Sequence, residues 1–232
     1  MLNKQYDDRY FDVINALEEA KHIHIRGSRF ADRLKNGFRI GETGFGAGRM
    51  LIAVIEALES ANVPDIEIHY SSVELYPMSL DKMTRILNSF RDRAGHLIDK
   101  LIDVYSRFDL SARGWHHGII SGGFGVVNLH LFIGEALEMA ASMAIPCDAW
   151  FLDGHDPAKN PDMWRAELLS EIGRKTARGG TVTTFSVAGH VRRNLTAAGF
   201  SVEKVPGHGR KREALRGDFS PEISCIPYKP EM

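Results

Sequence analysis

A chain of 232 residues, 44% hydrophobic and 25% charged, is long enough to fill one substantial domain and cramped for two. Its 29 Lys and Arg against 30 Asp and Glu leave a net charge of −1, which excludes a globally basic nucleic-acid binder and confines any cationic surface to a local patch. Cys147 and Cys225 stand far apart without a CxxC spacing, which excludes a zinc ribbon or a disulfide scaffold and suits a reducing compartment.

In chain order, residues 1–9 are polar and charged, with no signal-like apolar stretch, and no run of about 18 apolar residues follows anywhere. A cytoplasmic protein with no membrane partner is the expectation. The weak alternation of His22, Ile23, His24 and Ile25 predicts a short strand over 21–26, and Ser28 is placed to cap a helix through 34. Residues 1–36 therefore read as an N-terminal extension of a main domain spanning 37–232. A strand is predicted at 38–42, then a helix over 46–60 with Leu51, Ile52, Val54, Ile55 and Leu58 at helical spacing. A strand over 65–75 carries Glu74 at its end, and Pro77 suits the first turn of a helix running to about 91.

From 94 to 125 the periodicity is poor, and the segment reads as an insertion or a hairpin on the sheet. Strands are predicted at 115–120 and 126–133 around the flexible Ser121-Gly122-Gly123-Phe124-Gly125. A helix over 134–143, a buried strand over 147–152 and a helix over 161–176 come next. Strand 180–187, helix 190–198, strand 200–205 and a closing antiparallel edge strand at 223–226 complete the chain. Strands alternating with helices define an α/β fold, a doubly wound and mostly parallel sheet with right-handed crossovers.

The first strand runs into Gly41-Glu42-Thr43-Gly44-Phe45-Gly46-Ala47-Gly48, a strand-turn-helix passage rich in glycine. Missing Cβ atoms let a ligand approach backbone N–H groups, and Arg49-Met50 stands where a phosphate loop would carry Lys-Ser/Thr. Glu42 inside the turn would repel a pyrophosphate and attract a cation. In an open parallel sheet the ligand lies outside the carboxyl ends of the strands, where Glu42, Glu74, Glu135 and Asp153 are expected to fall together. A carboxylate ending the second strand can accept ribose hydroxyls. Glu135 can accept from an adenine amino group or merely sit at a helix N-terminus. Adenine, ribose and a cationic amino-acid moiety are the parts of S-adenosylmethionine.

The segment Ala149-Trp150-Phe151-Leu152-Asp153-Gly154-His155-Asp156-Pro157-Ala158-Lys159-Asn160-Pro161-Asp162-Met163-Trp164 closely resembles the signature of the methyltransferase part of the bifunctional enzymes that make 5-methylaminomethyl(-2-thio)uridine in tRNA. So do the glycine loop, Arg192-Arg193, Gly207-His208-Gly209-Arg210-Lys211-Arg212-Glu213 and the early Asp8-Arg9-Tyr10-Phe11 with Glu18. The chain departs from that family at His155 and His208, where Phe is usual, and at Glu135, where Asp is usual, and a methyltransferase without the family's flavin oxidoreductase domain is the expectation.

The resemblance implies a Rossmann-like class I fold and a stand-alone methyltransferase acting on the aminomethyl group of a wobble uridine. It implies S-adenosylmethionine held by Glu42, Gly44, Phe45, Gly46, Gly48, Glu74, Glu135 and Asp153. Asp153 is also the expected catalytic acceptor of the amine, because a mostly protonated aminomethyl group needs a carboxylate to hold it and take a proton. His155, Lys159, Arg192, Arg193, Arg210, Lys211 and Arg212 are the expected tRNA contacts. Between 204 and 216, Lys204, Arg210, Lys211, Arg212 and Arg216 face Glu213 alone, and such a stretch suits a phosphate backbone. The histidines have no metal-ligand spacing, so no metal is expected. Two rivals stay open: a methyltransferase for small-molecule amines, and a non-catalytic cofactor-binding homologue.

Overall fold

The computed structural model describes residues 2–3, 8–9, 16–154, 156–209 and 212–220. His155, Arg210, Lys211 and the strand expected at 223–226 lie outside them.

Strands β1 (Leu2–Asn3) and β2 (Asp8–Arg9) pair with each other in a two-stranded sheet. Helix α1 (Ala16–Ala20) passes into a π-helical turn, Lys21–Arg26, and then α2 (Phe30–Arg33). The strand predicted over 21–26 is therefore helical. Its apparent alternation misled, because Ile23, His24 and Ile25 are buried in succession, which a half-exposed strand cannot achieve. His24 Nδ1 lies 2.9 Å from Thr183 Oγ1, and its ring tilts against Phe151. Ser28 does not cap α2; its hydroxyl donates to the Ile25 carbonyl instead.

The main sheet follows with β3 (Phe38–Glu42), α3 (Arg49–Ala61), β4 (Glu67–Glu74), α4 (Leu80–Leu87) and α5 (Arg91–Tyr105). Next come the hairpin β5 (Gly114–Gly122) and β6 (Gly125–Ile133), then α6 (Ala136–Ser142), β7 (Cys147–Leu152) and α7 (Ala166–Arg174). β8 (Thr176–Thr184), α8 (Gly189–Ala197), β9 (Phe200–Pro206) and β10 (Glu213–Phe219) finish it. Strand order is β5-β6-β4-β3-β7-β8-β10-β9. The five strands from β6 to β8 run parallel, β5 is an antiparallel edge, and β10 runs antiparallel between β8 and β9.

The irregular stretch after 94 is largely α5, whose Leu97, Ile98, Leu101, Val104 and Tyr105 join the core. Consecutive residues of β7 serve opposite layers: Phe151 packs with Ile40, Leu51 and Leu129, while Trp150 packs with Met139, Leu168 and Val191. This is a helix-sheet-helix sandwich. Chain connections move outward from β3 in both directions, which makes its carboxyl end, beside β4 and β7, the switch point where such sheets hold ligands.

At the opposite end a polar clamp ties the N-terminal segment to the sheet. Arg33 donates to the carbonyls of Ser28, Asp148 and Gly179 and to the Thr181 hydroxyl at 2.9–3.1 Å. The buried Asp148 carboxylate accepts from Lys35 Nζ at 2.7 Å and from the Arg39 amide at 2.9 Å.

Candidate active site

Parallel register sets Glu42 of β3 beside Ser72 of β4 and Phe151 of β7. Glu42 is 1% exposed, and the Ser72 hydroxyl donates to its Oε2 at 2.6 Å. Burial pushes its carboxyl up to about 8; the Ser72 bond opposes that rise, and the charge of Asp153 adds to it. The Tyr70 hydroxyl faces the same carboxyl from complete burial and closes no hydrogen bond of normal geometry.

The glycine loop is built as a packed floor. The amides of Thr43, Phe45 and Gly48 donate to the carbonyls of Phe151, Val73 and Phe45, and that of Gly46 donates to Glu74 Oε2 at 3.0 Å. In this structure Glu74 reaches across and takes the Gly46 amide. Gly46 has positive φ and open space where a Cβ would stand, so it leaves the cleft clear. Gly41 answers a different need: a Cβ there would lie 2.5 Å from the Trp150 ring. Phe45, expected among the cofactor contacts, is a core residue at 2% exposure, stacked on Tyr105.

Glu74 ends β4 half-buried, its other oxygen accepting from the Tyr76 amide at 3.0 Å. Burial raises its pKa, and the amide bonds from Tyr76 and Gly46 pull the other way. Glu135 closes a capping box at the start of α6, accepting from the Glu138 backbone while Glu138 accepts from its own. In this geometry it does the work of a helix-terminal acid.

Asp153 follows β7, half-buried. Arg49 Nη2 lies 2.9 Å from its Oδ2, the Gly154 amide donates to Oδ1 at 2.9 Å, and the Thr43 hydroxyl donates to its carbonyl at 3.0 Å. The following loop is braced from within: the amides of Lys159 and Asn160 donate to the Asp156 carbonyl, and that of Ala158 to the Asp156 carboxylate. Asn160 is buried, whereas the Lys159 side chain is exposed. Trp164 meets Phe185 edge to face at 5.9 Å.

Leu215 of β10 pairs with Thr184, the last residue of β8, so the β9–β10 turn returns to the same rim as the acids. That turn is closed by the Gly207 amide on the Arg212 carbonyl, with Arg212 exposed. Arg192 and Arg193 are exposed on α8, the helix that leaves the rim after β8. The basic count of this region needs correction. Lys204 is paired with Glu213 at 2.8 Å, and Arg216 with Glu203 and Asp218 at 3.3 Å, because cross-strand register on the hairpin brings opposite charges together. Among the described residues, no cluster of three or more His, Cys, Asp or Glu is placed to hold a metal ion, and no helix is long and apolar enough to cross a membrane.

Arg49, Ser72 and Tyr70 escaped the sequence reading. Arg49 carried a signal, a cation at the first position of a helix after a glycine loop. Ser72 and Tyr70 carried none until register placed them on Glu42.

Residues 113–220 match a family described as S-adenosyl-L-methionine-dependent methyltransferase. A solved structure, MNMC2 from Aquifex aeolicus, superposes with a TM-score of 0.74 over 94% of this chain and 66% of that one, at 21% identity. The fold is that of the class I S-adenosylmethionine-dependent methyltransferases.

In sequence it is similar to part of the tRNA 5-methylaminomethyl-2-thiouridine biosynthesis bifunctional protein MnmC. It is 38% identical to the Pseudomonas fluorescens protein over 98% of this chain and 38% identical to the Caulobacter vibrioides protein over 97%. It spans 35% and 37% of those relatives, about a third of their length, and corresponds to their methyltransferase part. The site fits the cofactor chemically: the buried Glu42 with the Tyr70 hydroxyl facing it suits a cationic moiety, Glu74 at the end of β4 suits a ribose, and the open face of Gly46 leaves room between them.

Proposed function

We propose that the protein methylates the aminomethyl group of a wobble uridine in tRNA, converting 5-aminomethyl-(2-thio)uridine to its methylaminomethyl form in the cytoplasm. One observation carries this reading. The Asp153 carboxylate is fixed at the switch point, on the rim that also bears the exposed Arg212 turn and the Arg192-Arg193 face.

When bound, S-adenosylmethionine would supply an electrophilic methyl group on a sulfonium. Glu42, Glu74 and the open face of Gly46 hold and orient it, with Glu135 at the adjoining helix start. Asp153 attracts the ammonium form of the amine and accepts its proton at Oδ2, leaving a neutral nitrogen lone pair to be aligned. The loop stiffened by Asp156, Asn160 and Pro161 keeps that carboxylate in place, and His155 and Lys159 are the residues expected to contact the base. Arg192, Arg193, Arg210, Lys211 and Arg212 meet the phosphate backbone, a contact that weakens as salt rises. The amine itself is the product of a separate reaction. The names of the relatives support the same substrate.

The test uses labelled S-adenosylmethionine with bulk tRNA from cells lacking the modification, followed by digestion to nucleosides. Label in 5-methylaminomethyluridine or its 2-thio form, lost at high salt, is the expected result. Transfer to free amines that ignores added tRNA would replace this reading with a small-molecule methyltransferase, and no transfer at all would leave a binding module.

A further inference from the structure

Helix α3 starts at Arg49 with no acid in its first turn. A cation at that place opposes the helix dipole, so its side chain needs a compensating partner. The guanidinium is only 14% exposed, and that partner is Asp153, 104 residues further along the chain. Three ties join the glycine loop to the Asp153 loop. The Thr43 hydroxyl holds the Asp153 carbonyl, Gly44 approaches so closely that a Cβ would lie 3.1 Å from that carbonyl, and Arg49 holds the carboxylate. Of the three, Arg49 alone touches the group that meets the amine.

We propose that Arg49 is a positioning residue: it fixes the Asp153 carboxylate over the cofactor floor and acts as its counter-ion until the protonated amine takes that place. The proposal rests on the function assigned above, in which Asp153 receives the amine. One cation is exchanged for another, so the carboxylate is never left in a half-buried site without an opposite charge. Without Arg49 the carboxylate still attracts the amine and orients it poorly. The loss therefore falls on kcat, while a residue that only stabilised the fold would act on the amount of active protein.

The experiment compares Arg49→Leu and Arg49→Lys in the wild-type and Asp153→Asn backgrounds, with rates taken per folded molecule. Arg49→Leu is expected to lower kcat for tRNA methylation about tenfold and to change KM less than about threefold, and Arg49→Lys to recover much of the rate. In the Asp153→Asn background, removing Arg49 should cost nothing more. A second readout needs neither cofactor nor activity: hydrogen exchange in peptides covering 152–164 should speed up in Arg49→Leu and stay slow in Arg49→Lys. Independent, multiplying effects of the two substitutions, an unchanged kcat, or unchanged exchange would each overturn the proposal. If the wild-type protein transfers nothing to tRNA, the assigned function falls by itself, and the exchange measurement still decides whether Arg49 holds the Asp153 loop.

Discussion

At the amino end of β7, Asp148 is nearly buried and is met by Lys35 and the Arg39 amide, while Arg33 closes over the neighbouring carbonyls. At the carboxyl end of β3, Glu42 is more deeply buried and is met by a serine hydroxyl. Both ends place acids inside the sheet, yet only the amino end supplies a matching cation directly. An acid with its cation in place stabilises the fold and has nothing left to bind. An acid with neutral donors stays protonated until a cation arrives, which is the condition of a binding site. Asp153 stands between these cases, charged and paired to Arg49 on the ligand side.

The contrast breaks most severely at Asp153. Asp153→Asn keeps the shape and the Gly154 contact but cannot take a proton, so methyl transfer should fall about 10³-fold with cofactor affinity nearly intact, as read by single-turnover kinetics and calorimetry. Full transfer in that variant would end its catalytic role.

Glu42 offers the next largest effect, through pH. Its folded-state carboxyl titrates at about 8 against an ordinary value of 4.5, so the folded protein keeps a proton that the unfolded chain has lost. Its contribution to stability is complete below pH 4.5 and is lost as pH rises to about 8, a decline on the order of a few kcal/mol. Urea denaturation of the cofactor-free protein at several pH values should show this slope, and Glu42→Gln should flatten it. A steeper slope in the variant would contradict the assignment.

At the amino end, Arg33→Ala strands several acceptors at once. Stability should drop by about 2–4 kcal/mol in chemical denaturation, with kcat per folded molecule unchanged. A change in kcat would mean that the two ends are coupled. The smallest effect belongs to Arg212→Ala, which should weaken tRNA binding modestly and reduce the slope of log affinity against log salt by about one. An equal effect from Lys204→Ala would show that its ion pair with Glu213 opens on RNA.

Much of the sheet was legible because buried parallel strands announce themselves: residues 38–42 and 147–152 are the observed β3 and β7, and the acids at strand ends mark the rim. What escaped was set by partners distant in sequence. The His22 to Ile25 alternation imitates a strand until Thr183 and Phe151 bury His24. The helix within 91–105 hides behind charged residues on its outer face. The observed β10 overlaps the basic stretch, where charge masks the pairing of Ala214 and Leu215 into the core. In the site, the acids could be named from the sequence, but their donors could not. Ser72 reaches Glu42 through strand register, and Arg49 reaches Asp153 through a fold contact spanning the two halves.

Strand β10 changes where the chain can vary. In a sheet wound only from strand-helix-strand units, every new loop on the ligand rim comes with a helix that must also fit its layer. The β9–β10 hairpin adds a rim loop without that obligation. The loop between Gly207 and Arg212 can change length or charge while Lys204–Glu213 and Arg216–Glu203 hold its base, so the tRNA contact proposed for it can evolve apart from the proposed chemistry at Asp153.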